Sequence, residues 1–181
     1  MLFELVVAVA GGLVIVWLVR GVVSRRRSKA QNWLPADLRM DRLAYAEQLF
    51  RSTGPLAVSA KVDRAYRDQA GVVTLVELKT RKADKIYLSD LIELSAQRHA
   101  LHSQTGEQVS EHGYVVVQYV GPTRQKAHRV ELLSDEHFSL IVTRRERLLM
   151  QAETPGPPRS AALCEHCTYL SECDWGARYK R

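Results

Sequence analysis

Two carboxylates and a lysine lie where a hairpin would bring them together. Residues 56–68 are strand-like, Gln69 to Gly71 reads as a turn, and Val72 to Thr80 is a β-branched apolar run. A loop of two or three residues at that turn gives cross-strand partners whose numbers sum to about 139 or 140. Asp63 and Glu77 sum to 140. Their side chains then leave one face roughly 5 Å apart, and Lys79, two residues beyond Glu77, shares that face by strand alternation. Like charges so close are unfavourable unless a cation lies between them, and Mg2+ or Mn2+ with carboxylate and water ligands fits the gap. A metal held there lowers the pKa of a bound water and stabilises charge on a phosphoryl group, and a lysine beside it positions the attacking hydroxide. This is the chemistry of phosphodiester hydrolysis. The plain alternative is a surface ion pair of little consequence. Against it, Glu77 and Lys79 interrupt a run that otherwise reads as buried, where charge is paired or functional.

A second group is Cys164-x2-Cys167-x5-Cys173, which holds all three cysteines of the chain. Three thiols crowded within ten residues are not a disulfide framework, and metal is the better reading. Zn2+ completed by His166 or another histidine, a cluster with a non-cysteine ligand, and buried thiols without metal all stay open. The net charge is +6 and the pI about 9.4, which suits a partner carrying phosphates or an anionic membrane surface. Arg64, Arg67, Arg81, Lys82 and Lys85 flank the hairpin and could hold phosphates near the metal; a solvated basic face is the alternative. Trp33, Tyr66, Tyr87 and Tyr169 are too scattered for a base-stacking platform.

The elements that must position these residues follow from the patterning. From Leu2 to Val19 every residue is apolar or Gly except Glu4, about the length that crosses a bilayer. No Lys or Arg precedes Arg20, so a cleaved secretory signal does not fit; Arg20, Arg25, Arg26, Arg27 and Lys29 follow at once and mark the cytoplasmic side. The expectation is a single-pass membrane anchor over 1–23, N-terminus out, a basic linker over 24–36, and a cytoplasmic soluble domain. About 150 residues remain, enough for one core, divided as a domain over 37–153 and a cysteine module over 154–181. Asp37 caps an expected helix over 38–52, with Leu43, Ala46, Leu49 and Phe50 on one face. Further helices are expected over 88–103, capped by Ser89 with Ile92, Ala96 and Ala100 inward, and over 135–151, capped by Ser134. Strands are expected over 113–120 and 127–133. The pattern is α/β.

At Asp63, Glu77-Leu78-Lys79 and the helix carrying Gln97, the sequence resembles the PD-(D/E)XK nuclease superfamily in its RecB-like branch, over most of residues 37–181. The resemblance implies a restriction-endonuclease-like mixed central sheet flanked by helices. It also implies a DNA substrate, with single-stranded DNA or DNA ends favoured. It assigns Mg2+ or Mn2+ to Asp63 and Glu77, activation of water to Lys79, a site role to Gln97, and a further acid from the first helix to Glu47. The cysteine spacing is similar to that of iron–sulfur AddB-type and CRISPR-associated RecB-like nucleases, which implies an iron–sulfur cluster, with Zn2+ as the runner-up. The chain departs from the pattern in three places. Val62 stands where Pro is common, Leu101 where a Tyr is common, leaving His99 or His102 for that contact, and no cysteine precedes the hairpin as a fourth ligand. A non-catalytic membrane-tethered nucleic-acid-binding module of the same fold is the alternative. A third is a membrane-tethered metal or redox protein.

Overall fold

The β-branched run around residue 75 forms the middle strand of a five-stranded sheet. The computed structural model describes residues 34–54, 56–119, 125–158, 160–165, 167–173 and 175–176. The strands are β1 (Arg42–Arg51), β2 (Ser59–Arg67), β3 (Val73–Arg81), β4 (His112–Tyr119) and β5 (Gln125–Glu131), side by side in chain order. β1, β2 and β3 run antiparallel, β3 and β4 parallel, and β4 and β5 antiparallel. Parallel neighbours need a long crossover, which α1 (Leu88–Thr105) supplies. Two helices follow β5: α2 (Asp135–Leu149) and the short α3 (Ala162–Glu165). The expected α/β class and mixed sheet with helices are therefore present. The expected anchor and most of the basic linker lie outside the described residues; among the described residues no helix is long and apolar enough to cross a membrane.

The described residues divide into two compact units, one up to Phe138 and the other from Ser139. In the first, β3 is covered on both faces, which is why its sequence reads as a nearly continuous apolar run. Val73 and Leu75 pack with Leu94, Ala100 and Leu101 of α1. Val76, on the opposite face, packs with Tyr66, Tyr114 and Val116, with Leu38 of the 3-10 turn Ala36–Leu38 and with Leu34 just before it. The inward face of α1 is Leu94, Gln97, Ala100 and Leu101, while Ile92 and Ala96, expected inside, are only partly covered. At the start of α1 the Asp90 carboxylate accepts the Tyr87 amide at 2.8 Å, so the cap does not come from Ser89. The helix ends at Gly106, whose φ of 71° is a left-handed conformation that costs a residue without Cβ little. Ser134 caps α2 as expected, accepting the His137 amide at 3.3 Å. In the second unit, Arg144 and Arg147 both meet Glu153, and the Trp175 indole donates to the Pro155 carbonyl at 3.1 Å.

The helix expected over 38–52 is instead strand β1. Of the four residues set on one helical face only Phe50 is buried; Leu43, Ala46 and Leu49 are exposed, so their spacing does not mark a core face. The strand is also irregular in two places. The β1–β2 register shifts between Leu43 and Tyr45, and Glu47 has a positive φ of 52°. Strict alternation would send Tyr45 and Phe50 to opposite faces, yet both pack on the same core cluster; on β2 the same holds for Val62 and Ala65. Both strands change phase at one level, where Glu47 and Asp63 would pair and no pair forms. Leu94 is fully buried between α1 and the sheet. Leu94→Ala is expected to cost about 2–5 kcal/mol, read as a shift in the urea unfolding midpoint.

Candidate active site

The β2–β3 register pairs Arg64 with Val76 through to Arg67 with Val73, so partners sum to 140 as the turn implied. The ladder stops at Arg64 and Val76, whereas β3 stays paired to β4 as far as Arg81 and Tyr119. From Glu77 onward, β3 has lost its β2 partner, and a backbone amide left there needs another acceptor. Asp63 provides it: its Oδ2 accepts the Leu78 N–H at 2.9 Å. The aspartate is thereby fixed at the fork between the strands, beside Glu77. Its Oδ1 makes no hydrogen bond among the described residues.

Three successive side chains of β3 on the helix-facing side meet three of α1. The Gln97 amide donates to Glu77 Oε2 at 2.6 Å. Lys79 Nζ lies 2.7 Å from Glu77 Oε1 and 2.7 Å from Glu93 Oε2. Arg81 makes two hydrogen bonds to Asp90, at 2.8 and 2.5 Å. A two-residue step on a strand is about 6.7 Å and a helix turn about 5.4 Å. Residues two apart on β3 therefore reach residues three or four apart on α1. Arg81 is ion-paired in this register, so it is a structural cation rather than the phosphate ligand expected. Burial opposes ionisation of Asp90, but Arg81 and the Tyr87 amide outweigh it and hold its carboxyl below the usual range.

The chemistry centres on Glu77, which is 3% exposed. Burial pushes its pKa up to about 7; Lys79 and Gln97 pull against that rise, while Asp63 and Glu93 add to it. For Lys79, burial works against the charge, but Glu77 and Glu93 prevail and raise its pKa. At neutral pH it is an ammonium, not a base. Gln97 is fully buried and its Oε1 has no hydrogen-bond partner among the described residues, an exception that suits a bound water as donor. Among the described residues no three His, Cys, Asp or Glu side chains are grouped to hold a metal ion. Asp63 and Glu77 still suit Mg2+ or Mn2+, because Mg2+ keeps several waters and is bound through one or two carboxylates.

The remaining expected residues divide. Glu47 is exposed on β1 and ion-paired with Lys61, so the structure does not bring it to Glu77. Arg67 is bound to Glu107 at 2.5 Å and is not available to a phosphate. Arg64 lines, with Lys79, Thr80 and Gln118, a small cavity of about 150 Å³. Lys82 and Lys85 are exposed, and Lys85 and Arg81 lie against the Tyr87 ring, 5.2 and 4.7 Å from its centroid. His99 and His102 line a separate hollow of about 750 Å³, on a side of α1 turned away from Gln97 by helical geometry. Burial first, and then the Cys167 and Cys173 thiols, push the Cys164 thiol up, so the three cysteines neighbour one another; His166 lies outside the described residues. Glu93 was not expected; its signal in the sequence is its place one turn before Gln97 on the same face of α1.

No protein-family model matches the chain, and no curated protein matches it. A solved structure described as "Crystal structure of SSO0001" is similar over 87% of this chain and 69% of that one, at 18% identity and a TM-score of 0.46. That likeness carries no argument, and the functional conclusion rests on the side chains.

Glu77 has a folded pKa above its ordinary value of 4.5. Its contribution to stability is present below that value and lost as pH rises through about 7. With EDTA present, the chain is expected to lose stability between pH 5 and 8. Glu77→Gln should flatten this slope and gain on the order of 2 kcal/mol at pH 8, measured by urea melts across pH.

Proposed function

We propose that the chain is a metal-dependent nuclease that hydrolyses DNA phosphodiester bonds, in single-stranded DNA or at DNA ends. In this reading residues 2–19 anchor it in a membrane with the nuclease domain on the cytoplasmic side. The observation that carries the proposal is the fork: Asp63 held by the Leu78 amide, next to a buried Glu77 that Lys79 and Gln97 both engage. A buried carboxylate beside a second one is a standing cost unless it serves a cation.

Asp63 and Glu77 would hold Mg2+ or Mn2+. When bound, the cation makes a water acidic and neutralises charge on the phosphoryl oxygens. The chain's own groups divide the rest. Lys79, an ammonium, draws an anionic nucleophile toward the phosphorus and offsets the charge that develops there. Gln97 fixes the orientation of Glu77, and its unpartnered Oε1 is an acceptor for a water proton. Arg64, Lys82 and Lys85 suit contacts to backbone phosphates, which position DNA without reading its sequence. The cysteine tail takes no part in hydrolysis in this reading; an iron–sulfur cluster or Zn2+ there would be structural.

A second reading, a binding module of the same fold that does not cut, draws on Leu101. This side chain is fully buried in the core and offers substrate nothing. Cleavage separates the two. With Mn2+, the chain is expected to cut labelled DNA, and Asp63→Asn and Lys79→Ala should each slow cutting by about 10²-fold or more while keeping the circular dichroism of the parent. Folded protein that binds DNA in a salt-dependent way and never cuts it would establish the binding module.

A further inference from the structure

Lys79 is shared between two carboxylates, and one of them is also the proposed cation ligand. Its Nζ lies 2.7 Å from Glu77 Oε1 and 2.7 Å from Glu93 Oε2. The Glu77 side chain is 3% exposed, that of Lys79 24% and that of Glu93 46%. The inner carboxylate is thus committed to the interior, while the outer one reaches the lysine from the rim. Both oxygens of Glu77 are already engaged, Oε1 by the ammonium and Oε2 by Gln97. A divalent cation and the Lys79 ammonium therefore compete for the same buried negative charge, and two cations on one carboxylate repel each other.

We infer that Glu93 is a positioning residue that holds Lys79 in the site while releasing Glu77 to a divalent cation. The inference rests on the metal reading of Asp63 and Glu77. Without Glu93, Glu77 is the only carboxylate among the described residues that pairs with the ammonium, and loading the site means breaking a buried pair and stranding Lys79. With Glu93, the lysine keeps an ionic partner on its solvent side and Glu77 is freed at lower cost. The geometry keeps this partner in place: Glu93 is one helical turn from Gln97 on α1, and both act on side chains of β3 two residues apart. Glu93 touches no reacting atom in this account; it acts through Lys79.

The distinction is measurable without turnover. Mn2+ affinity is measured calorimetrically on the full chain in detergent, for the parent, Glu93→Gln, Lys79→Ala and the double variant, each checked for folding by circular dichroism. Glu93→Gln should weaken Mn2+ binding roughly tenfold in the parent and leave it nearly unchanged in the Lys79→Ala background, because the effect travels through the lysine. Glu93→Asp should recover part of the loss. An equal loss in both backgrounds would make Glu93 a direct ligand or a long-range charge and overturn the inference, as would no loss in either. If the parent binds no Mn2+, the metal reading falls and the inference with it. If the coupling is present and DNA is never cut, the nuclease reading falls and the inference stands.

Discussion

The structure turns on the seam between β3 and α1. β3 is covered on both faces, yet on its helix-facing side it carries Glu77, Lys79 and Arg81 in succession beyond Leu75. Burial of such groups is tolerable only when each finds a partner. α1 supplies them in order: Gln97 for Glu77, Glu93 for Lys79, Asp90 for Arg81. The seam grades from apolar packing at Leu75 and Leu94, through the carboxylate and amide at its centre, to an ion pair at its end. Helix position, strand register and site chemistry are therefore one arrangement. Moving α1 by one residue would leave three polar groups of β3 unsatisfied.

The second constraint is the fork. β2 leaves β3 after Arg64 and Val76, and Asp63 takes over an amide that the ladder no longer serves. On the other edge of β2, the pairing with β1 is interrupted opposite Asp63, where Glu47 has its positive φ. Two breaks in the ladders at one level are costly by themselves. Here they place a carboxylate whose backbone has left regular pairing beside one whose strand remains in the sheet. Functional sites are where such local departures concentrate.

Much of this could be read from the sequence, because the turn fixes the hairpin register and β3 alternates regularly. The turn at Gln69 to Gly71 sets the sum of 140, which brings Asp63 to the level of Glu77 although the ladder ends one pair earlier; alternation along β3 adds Lys79. The apolar runs of β3 and β4, the presence of α1 though not its inward face, and Ser134 before α2 were also legible. β1 was not, since Leu43, Ala46 and Leu49, whose spacing with Phe50 imitates a helix face, are exposed apolar residues of a strand. The basic residues misled for a different reason. Charge is visible in a sequence and its partners are not, so Arg67 and Arg81 looked available although Glu107 and Asp90 hold them. Glu93 escaped notice because its meaning depends on which face of α1 meets β3, a matter of packing.

The most direct test of the central claim is where a cation sits. Crystals of the protein soaked in Mn2+ and measured for anomalous scattering should show one peak at the fork, about 2.1 Å from carboxylate oxygens of both Asp63 and Glu77. No peak there at saturating Mn2+, with Lys79 still on Glu77, would mean that the buried carboxylate belongs to an ion-pair network of the fold and that the chain does no metal-dependent hydrolysis at this site.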